Sequence, residues 1–134
     1  MSQPMLQPGV SHEMTKVVTD AEAIHFLGDA VPPALSTPAM ILWLEITARD
    51  TVLPLLEPGQ DTVGTRVNVA HLAATPVGMK VTCRARLTAI DRRRLTFEVE
   101  AYDEKDKIGE GAHERFIVDV ARYAERLKTK NAAR

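Results

Sequence analysis

From Pro38 to about Leu56 the chain is apolar on nearly every side, yet one carboxylate stands in the middle: Met40-Ile41-Leu42-Trp43-Leu44-Glu45-Ile46. A helix that is apolar all round is buried rather than lying on a surface. Ser36-Thr37-Pro38 is its start signal, predicting Thr37 as the N-cap and Pro38 at the first helical position. Pro54 ends or kinks its main body. After residue 61 the period changes to two. Val63, Thr65, Val67, Val69 and His71 fall on one face of a strand, and Gly64, Arg66, Asn68 and Ala70 on the other. Two more alternating runs follow, Val81 to Ala89 and Leu95 to Ala101, joined by a turn near Asp91-Arg92-Arg93. Asp103-Glu104-Lys105-Asp106 is the next turn, and a last strand runs from about Ile108 to Val118.

Upstream, residues 12 to 18 read as a strand. Thr19-Asp20-Ala21-Glu22 is a capping-box pattern that predicts a short helix to about Leu27, stopped by Gly28. Val31-Pro32-Pro33-Ala34 is a loop. The expected organisation is a loose arm over residues 1–10, one domain over 11–128, and a short C-terminal helix fraying over 129–134. Short turns favour antiparallel neighbours. A sheet with one apolar face needs a cover, and the long helix is the only large apolar object available. The prediction is α+β: an antiparallel sheet wrapped around one central helix. That packing brings His71, on the apolar face of its strand, toward Glu45.

Bulk properties narrow the function. The chain has 134 residues, 45% hydrophobic and 26% charged, with formal net charge −1, so nothing draws it as a whole to nucleic acid or an anionic membrane. Cys83 is the only cysteine, so no disulfide forms within one chain, which suits a reducing cytoplasm. Met1 to Val10 lacks the basic start and apolar core of a signal peptide. No apolar run approaches the length of a membrane-spanning helix. His12, His25 and His113 show no metal-ligand spacing with Cys83 or one another. The Gly-x-Ser-x-Gly serine-nucleophile pattern is absent.

An ionised Glu inside an apolar helix requires a partner, a route to water or a chemical role. A neighbouring cation would offset the cost of its charge, and a protonated His71 would be one. A carboxylate so placed can attack a carbonyl directly or act as a base on water. Each residue also has a purely structural reading. Thr37 can simply cap its helix, His71 can bond a carbonyl at a strand end, and Gly64 can mark a bulge or a close backbone approach. Arg84, Arg86, Arg92, Arg93 and Arg94 form either a solvated face or a dock for phosphates.

The chain resembles hotdog-fold thioesterases, most closely the fluoroacetyl-CoA thioesterase-like family. The shared features are Thr37 with Glu45 eight residues later, Glu57-Pro58-Gly59 followed by Gly64-Thr65, His71-Leu72-Ala73-Ala74-Thr75-Pro76, and Ile108-Gly109-Glu110-Gly111-Ala112-His113-Glu114-Arg115. The likeness spans roughly residues 11 to 120. It implies hydrolysis of a small acyl-CoA, with Thr37, Glu45 and His71 at the catalytic positions. It also implies Gly64 and Arg115 as substrate-binding positions, with Gly64 contributed across subunits. No metal and no cofactor are implied, coenzyme A being part of the substrate. The implied assembly is a homodimer, or a dimer of such dimers, with two sheets joined edge to edge. In the fluoroacetyl enzyme a phenylalanine-bearing lid precedes the catalytic threonine. Val31 to Ser36 carries no aromatic residue, so the likeness does not extend to selectivity for a fluorinated acyl group. The rival reading is a non-catalytic hotdog module that binds acyl-CoA or only dimerises. A hotdog hydratase is disfavoured because the matching Asp-x4-His motif is missing.

Overall fold

The computed structural model describes residues 5–134. The strands are β1 (Ser11–Val17), β2 (Ala23–Ile24), β3 (Ala34–Leu35), β4 (Gln60–His71), β5 (Lys80–Asp91), β6 (Arg94–Tyr102) and β7 (Lys107–Asp119). The helices are α1 (Thr37–Val52) and α2 (Val120–Ala132). Five strands form one antiparallel sheet in the order β1-β5-β6-β7-β4, while β2 and β3 pair as a separate two-stranded ribbon. The α+β architecture expected from the periodicity is therefore present, with α1 lying on the concave side of the sheet. Of the N-terminal arm, residues 1–4 lie outside the described residues. Leu6 and Val10 pack against the core, and Gly9 and Val10 exchange backbone hydrogen bonds with Leu87.

The core follows from the two periods. Every second residue of β5 from Val81 to Leu87, and of β6 from Leu95 to Ala101, is buried, and these side chains meet Met40, Trp43, Leu44, Ala48 and Val52 of α1. Full burial of each large apolar side chain is worth roughly 1.5–3 kcal/mol. Thr47 and Thr51 are buried in the same helix, and each hydroxyl donates to the carbonyl four residues earlier, at 2.7 Å. Their polar groups therefore carry no desolvation debt. Cys83 lies inside this core, and burial pushes its thiol up to about 12. A thiol so held is chemically inert at neutral pH.

Two local predictions are corrected. The capping box at Thr19 exists, with the Thr19 N–H donating to Glu22 Oε1 at 2.8 Å, but it opens only a one-turn 3₁₀ helix over Asp20–Glu22. Residues 23 to 27 do not continue it; Ala23 and Ile24 instead pair with Leu35 and Ala34. So short a helix cannot repay its nucleation cost, whereas Gly28, at φ 101°, turns the chain back toward β3. The second correction concerns α1. Its N-cap is Ser36, whose hydroxyl oxygen accepts from the Ala39 N–H at 3.2 Å, and Thr37 is already the first helical residue.

The cap assignment gives a testable separation. Ser36→Ala should cost about 1 kcal/mol of stability, the usual value of an N-cap. Thr37→Ala should leave stability nearly unchanged and act on turnover instead. Thermal melts of both variants, beside hydrolysis assays, check this; equal destabilisation by the two would contradict it.

Candidate active site

Relieved of capping, the Thr37 hydroxyl is free to bond elsewhere. Its Oγ1 lies 2.7 Å from Nδ1 of His71, at the far end of β4. His71 Nε2 is buried and has no hydrogen-bond partner among the described residues. One hydrogen bond thus leaves the pair one spare donor. It is Nε2–H if threonine donates to Nδ1, or the threonine hydroxyl if Nδ1–H donates to it. An orphaned buried polar atom is costly unless something binds it. Burial pushes the His71 imidazole below its ordinary value, with the Ala73 backbone opposing this. His71 is therefore neutral at physiological pH.

Glu45 lies eight residues after Thr37 on the same helix, roughly 12 Å further along at 1.5 Å per residue. Its side chain is 34% exposed, so the carboxylate reaches water at one side. On the other side Oε1 faces Arg115 Nη1 at 3.6 Å and His113 Nε2 at 3.8 Å. The cation beside Glu45 is thus Arg115, not the protonated His71 anticipated from sequence; His71 bonds Thr37 instead. Arg115 is almost wholly buried and is locked by Thr62, with Nε donating to the hydroxyl at 2.7 Å and Nη2 to the carbonyl at 2.9 Å. Burial lowers its proton affinity and Glu45 restores some of it, but a guanidinium stays charged at neutral pH.

Gly64 forms the third wall of this cluster. The strand carrying it is not regular: the β4–β7 register slips between Gly64 and Arg66, so Thr65 is the extra residue of a bulge. Before the bulge, Thr62 and Gly64 stand opposite Ile117 and Arg115; after it, Val67 stands opposite His113. The uninterrupted face Val63 to His71 expected from alternation is therefore broken. Gly64 and His71 end up on the same side of the sheet, both toward α1. A Cβ on Gly64 would overlap Glu45 Oε1, so backbone alone fits there.

The predicted site residues thus fall into two groups along one helix, Thr37 with His71 and Glu45 with Gly64 and Arg115. His113 joins the second group and was not singled out as a site residue from sequence. The available signal was its place two residues before Arg115 on the same strand face. The arginine cluster divides. Arg84 pairs with Glu13, Arg86 with Glu98, Arg93 with Asp119 and Arg94 with Asp91. Arg84 and Arg86 share their surface with Glu98 and Glu100, which leaves little net charge there to attract phosphate. Among the described residues no group of three His, Cys, Asp or Glu side chains is arranged for a metal. Among the described residues no helix is long and apolar enough to cross a membrane.

Buried His113 and half-buried His71 give the fold an acid sensitivity. Burial is the main cause lowering His71 and His113, with Arg115 adding to the effect at His113. A histidine depressed in the folded state binds protons more readily when unfolded. Its stabilising contribution is complete above the ordinary value of 6.5 and is lost as pH falls through 6.5 toward the depressed folded value. Asp61 is lowered chiefly by Arg49, and its contribution disappears only as pH falls below the carboxylate range. Stability should therefore decline in two stages. Urea titrations from pH 8 to 3 check this; a flat profile between 7 and 5 would contradict the histidine stage.

A sheet curled around one helix, with a polar cluster at its open edge, is the hotdog fold, and solved structures similar to this one include thioesterases. Residues 18–121 match the family described as Fluoroacetyl-CoA-specific thioesterase, and the chain belongs to that family. It is 36% identical over 102 residues to the fluoroacetyl-CoA thioesterase of Streptantibioticus cattleyicolor, covering 76% of this chain and 73% of that one. The structure of the fluoroacetyl-CoA-specific thioesterase superposes with TM-score 0.86 at 30% identity, covering 95% of this chain and 98% of the other. A Thermus thermophilus protein of the thioesterase superfamily gives TM-score 0.85 at 32% identity, covering 99% and 100%.

Proposed function

We propose that this chain hydrolyses the thioester of a small acyl-CoA, with Thr37, Glu45 and His71 as its catalytic residues and Gly64 and Arg115 against the substrate. The observation that carries the reading is the Glu45 carboxylate: part-exposed, set in an apolar helix, faced by a buried guanidinium 3.6 Å away, and walled by a residue with no side chain. Its attack on the thioester carbon, direct or through a water it deprotonates, places negative charge on the carbonyl oxygen. The spare donor of the Thr37–His71 pair and backbone N–H groups beside Gly64 are the groups suited to that charge. A thiolate leaves without strong acid help, so the chemistry needs no cofactor beyond the coenzyme A of the substrate itself. The lone, buried Cys83 fits a cytoplasmic enzyme.

The two groups on α1 acquire a common purpose in a homodimer. β4 is twelve residues long and, among the described residues, pairs only with β7, which leaves its other edge open. The opposite edge, β1, carries Glu13 and Lys16, charges that discourage strand addition. β4 exposes Val67 at 42%, and α1 exposes Leu42 at 52%. Joining two β4 edges would cover the open backbone and set the Gly64 segment of one protomer beside the site of its partner.

The deciding experiment is a hydrolysis screen over acyl-CoAs of graded chain length, following released thiol, with light scattering at micromolar concentration. Turnover highest on the shortest acyl groups is expected, from a dimer. Binding of acyl-CoA without any hydrolysis would replace the enzyme with a binding module, and a stable monomer would remove the dimer.

A further inference from the structure

We propose that His113 is a positioning residue of this site: through the Arg66 carbonyl it holds the bulge that turns Gly64 toward Glu45, and through Arg115 it aims the guanidinium at the same carboxylate. His113 is buried to 2% exposure on the concave face of β7, where alternation calls for an apolar side chain. Its ring is flanked by Phe97, with centroids 6.3 Å apart, and both its nitrogens are engaged. Nδ1 lies 2.7 Å from the carbonyl oxygen of Arg66, and Nε2 lies 3.2 Å from Nη1 of Arg115. A carbonyl only accepts and a guanidinium only donates. The two contacts together therefore demand one form, the neutral imidazole with its proton on Nδ1. Burial and the neighbouring Arg115 both favour that neutral form.

Each bond ends on a part of the Glu45 cluster. Arg66 is the first residue after the bulge, so fixing its carbonyl fixes the slip that points Gly64 at α1 rather than away. Arg115 Nη1 lies 3.2 Å from His113 Nε2 and 3.6 Å from Glu45 Oε1, so the bond to the imidazole fixes the guanidinium end that faces the carboxylate. A histidine merely satisfied in a core needs no such pair of endpoints. The role rests on the thioesterase reading above, and it assigns His113 no contact with substrate.

Three variants separate the two bonds. His113→Asn keeps a donor near the Nδ1 position, His113→Gln keeps an acceptor near Nε2, and His113→Phe keeps the ring but neither nitrogen. In His113→Phe, kcat on a short acyl-CoA should fall roughly 10–100-fold, the scale of a misplacement of about 1 Å, with KM changed much less. Asn and Gln should each restore part of that loss. Amide hydrogen exchange across Gly64 to Val67 should accelerate in the Phe and Gln variants and stay near wild type in Asn. A folded His113→Phe with wild-type kcat and unchanged exchange would overturn the proposal. So would three variants that lose activity only in proportion to their melting temperature, with exchange unaltered. If the wild type hydrolyses no acyl-CoA, the thioesterase reading fails, and the exchange pattern still decides whether His113 holds the bulge.

Discussion

Glu45→Gln is expected to lower thioester turnover by ~10² or more, the lower scale of general acid–base assistance, while the protein stays folded. The substitution keeps shape and hydrogen bonding. The amide oxygen can take the place of Oε1, which lies 3.6 Å from Arg115 Nη1, and accept from the guanidinium. What it removes is the negative charge that attacks carbon or water. The stability cost has two opposing parts. An amide is cheaper to desolvate than a carboxylate, but Arg115 loses a counter-charge. Because Glu45 is a third exposed and Arg115 retains both bonds to Thr62, the net cost should be about 1 kcal/mol, near that of a surface pair. Steady-state hydrolysis and a thermal melt measure the two effects separately. A folded Glu45→Gln with wild-type turnover would reduce Glu45 to a tolerated polar residue and hand the site to the binding-module reading.

The architecture was legible because its two signals are long and redundant. A mainly apolar run from Met40 to Val52 has few other homes than the inside of a sheet, and β6 alternates throughout, as β5 does from Val81 to Leu87. What alternation could not register was one extra residue. Counting by two from Val63 to His71 assumes a regular strand, and Thr65 breaks the count, placing Gly64 on the face assigned to its neighbours. The glycine beside the slip was the only local mark of it. The Ser36-Thr37-Pro38 signal was similarly ambiguous by one position. Proline is tolerated throughout the first helical turn, and a structure was needed to show which of two hydroxyls caps and which reaches His71. His113 went unrecognised for a different reason. Read for metal spacing it is a lone histidine, and only the pairing of β7 with β4 places it beside the bulge and Glu45. Spacing along one chain reports elements well, but the partner of a polar atom is a fact about two strands at once.

Gly64→Ala should cut turnover about as severely as loss of the carboxylate, ~10²-fold, while leaving stability almost untouched, because displacing a reacting group by about 1 Å has that cost. The backbone at Gly64 does not have positive φ, so alanine can adopt it without strain. The three atoms nearest the added methyl all belong to side chains: Glu45 Oε1, in overlap, then His113 Cε1 at 3.3 Å and Arg115 Nη1 at 3.4 Å. The far end of a glutamate is mobile, so the collision resolves by the carboxylate swinging toward its exposed side, not by the sheet opening. The protein therefore folds, and alanine loses less chain entropy than glycine on ordering in a strand. The reacting oxygen, however, leaves its place beside Arg115. Comparing Gly64→Ala with Glu45→Gln in kcat, KM and melting temperature tests this directly. Full activity in a folded Gly64→Ala would mean that the space in front of Glu45 is not where the thioester is attacked.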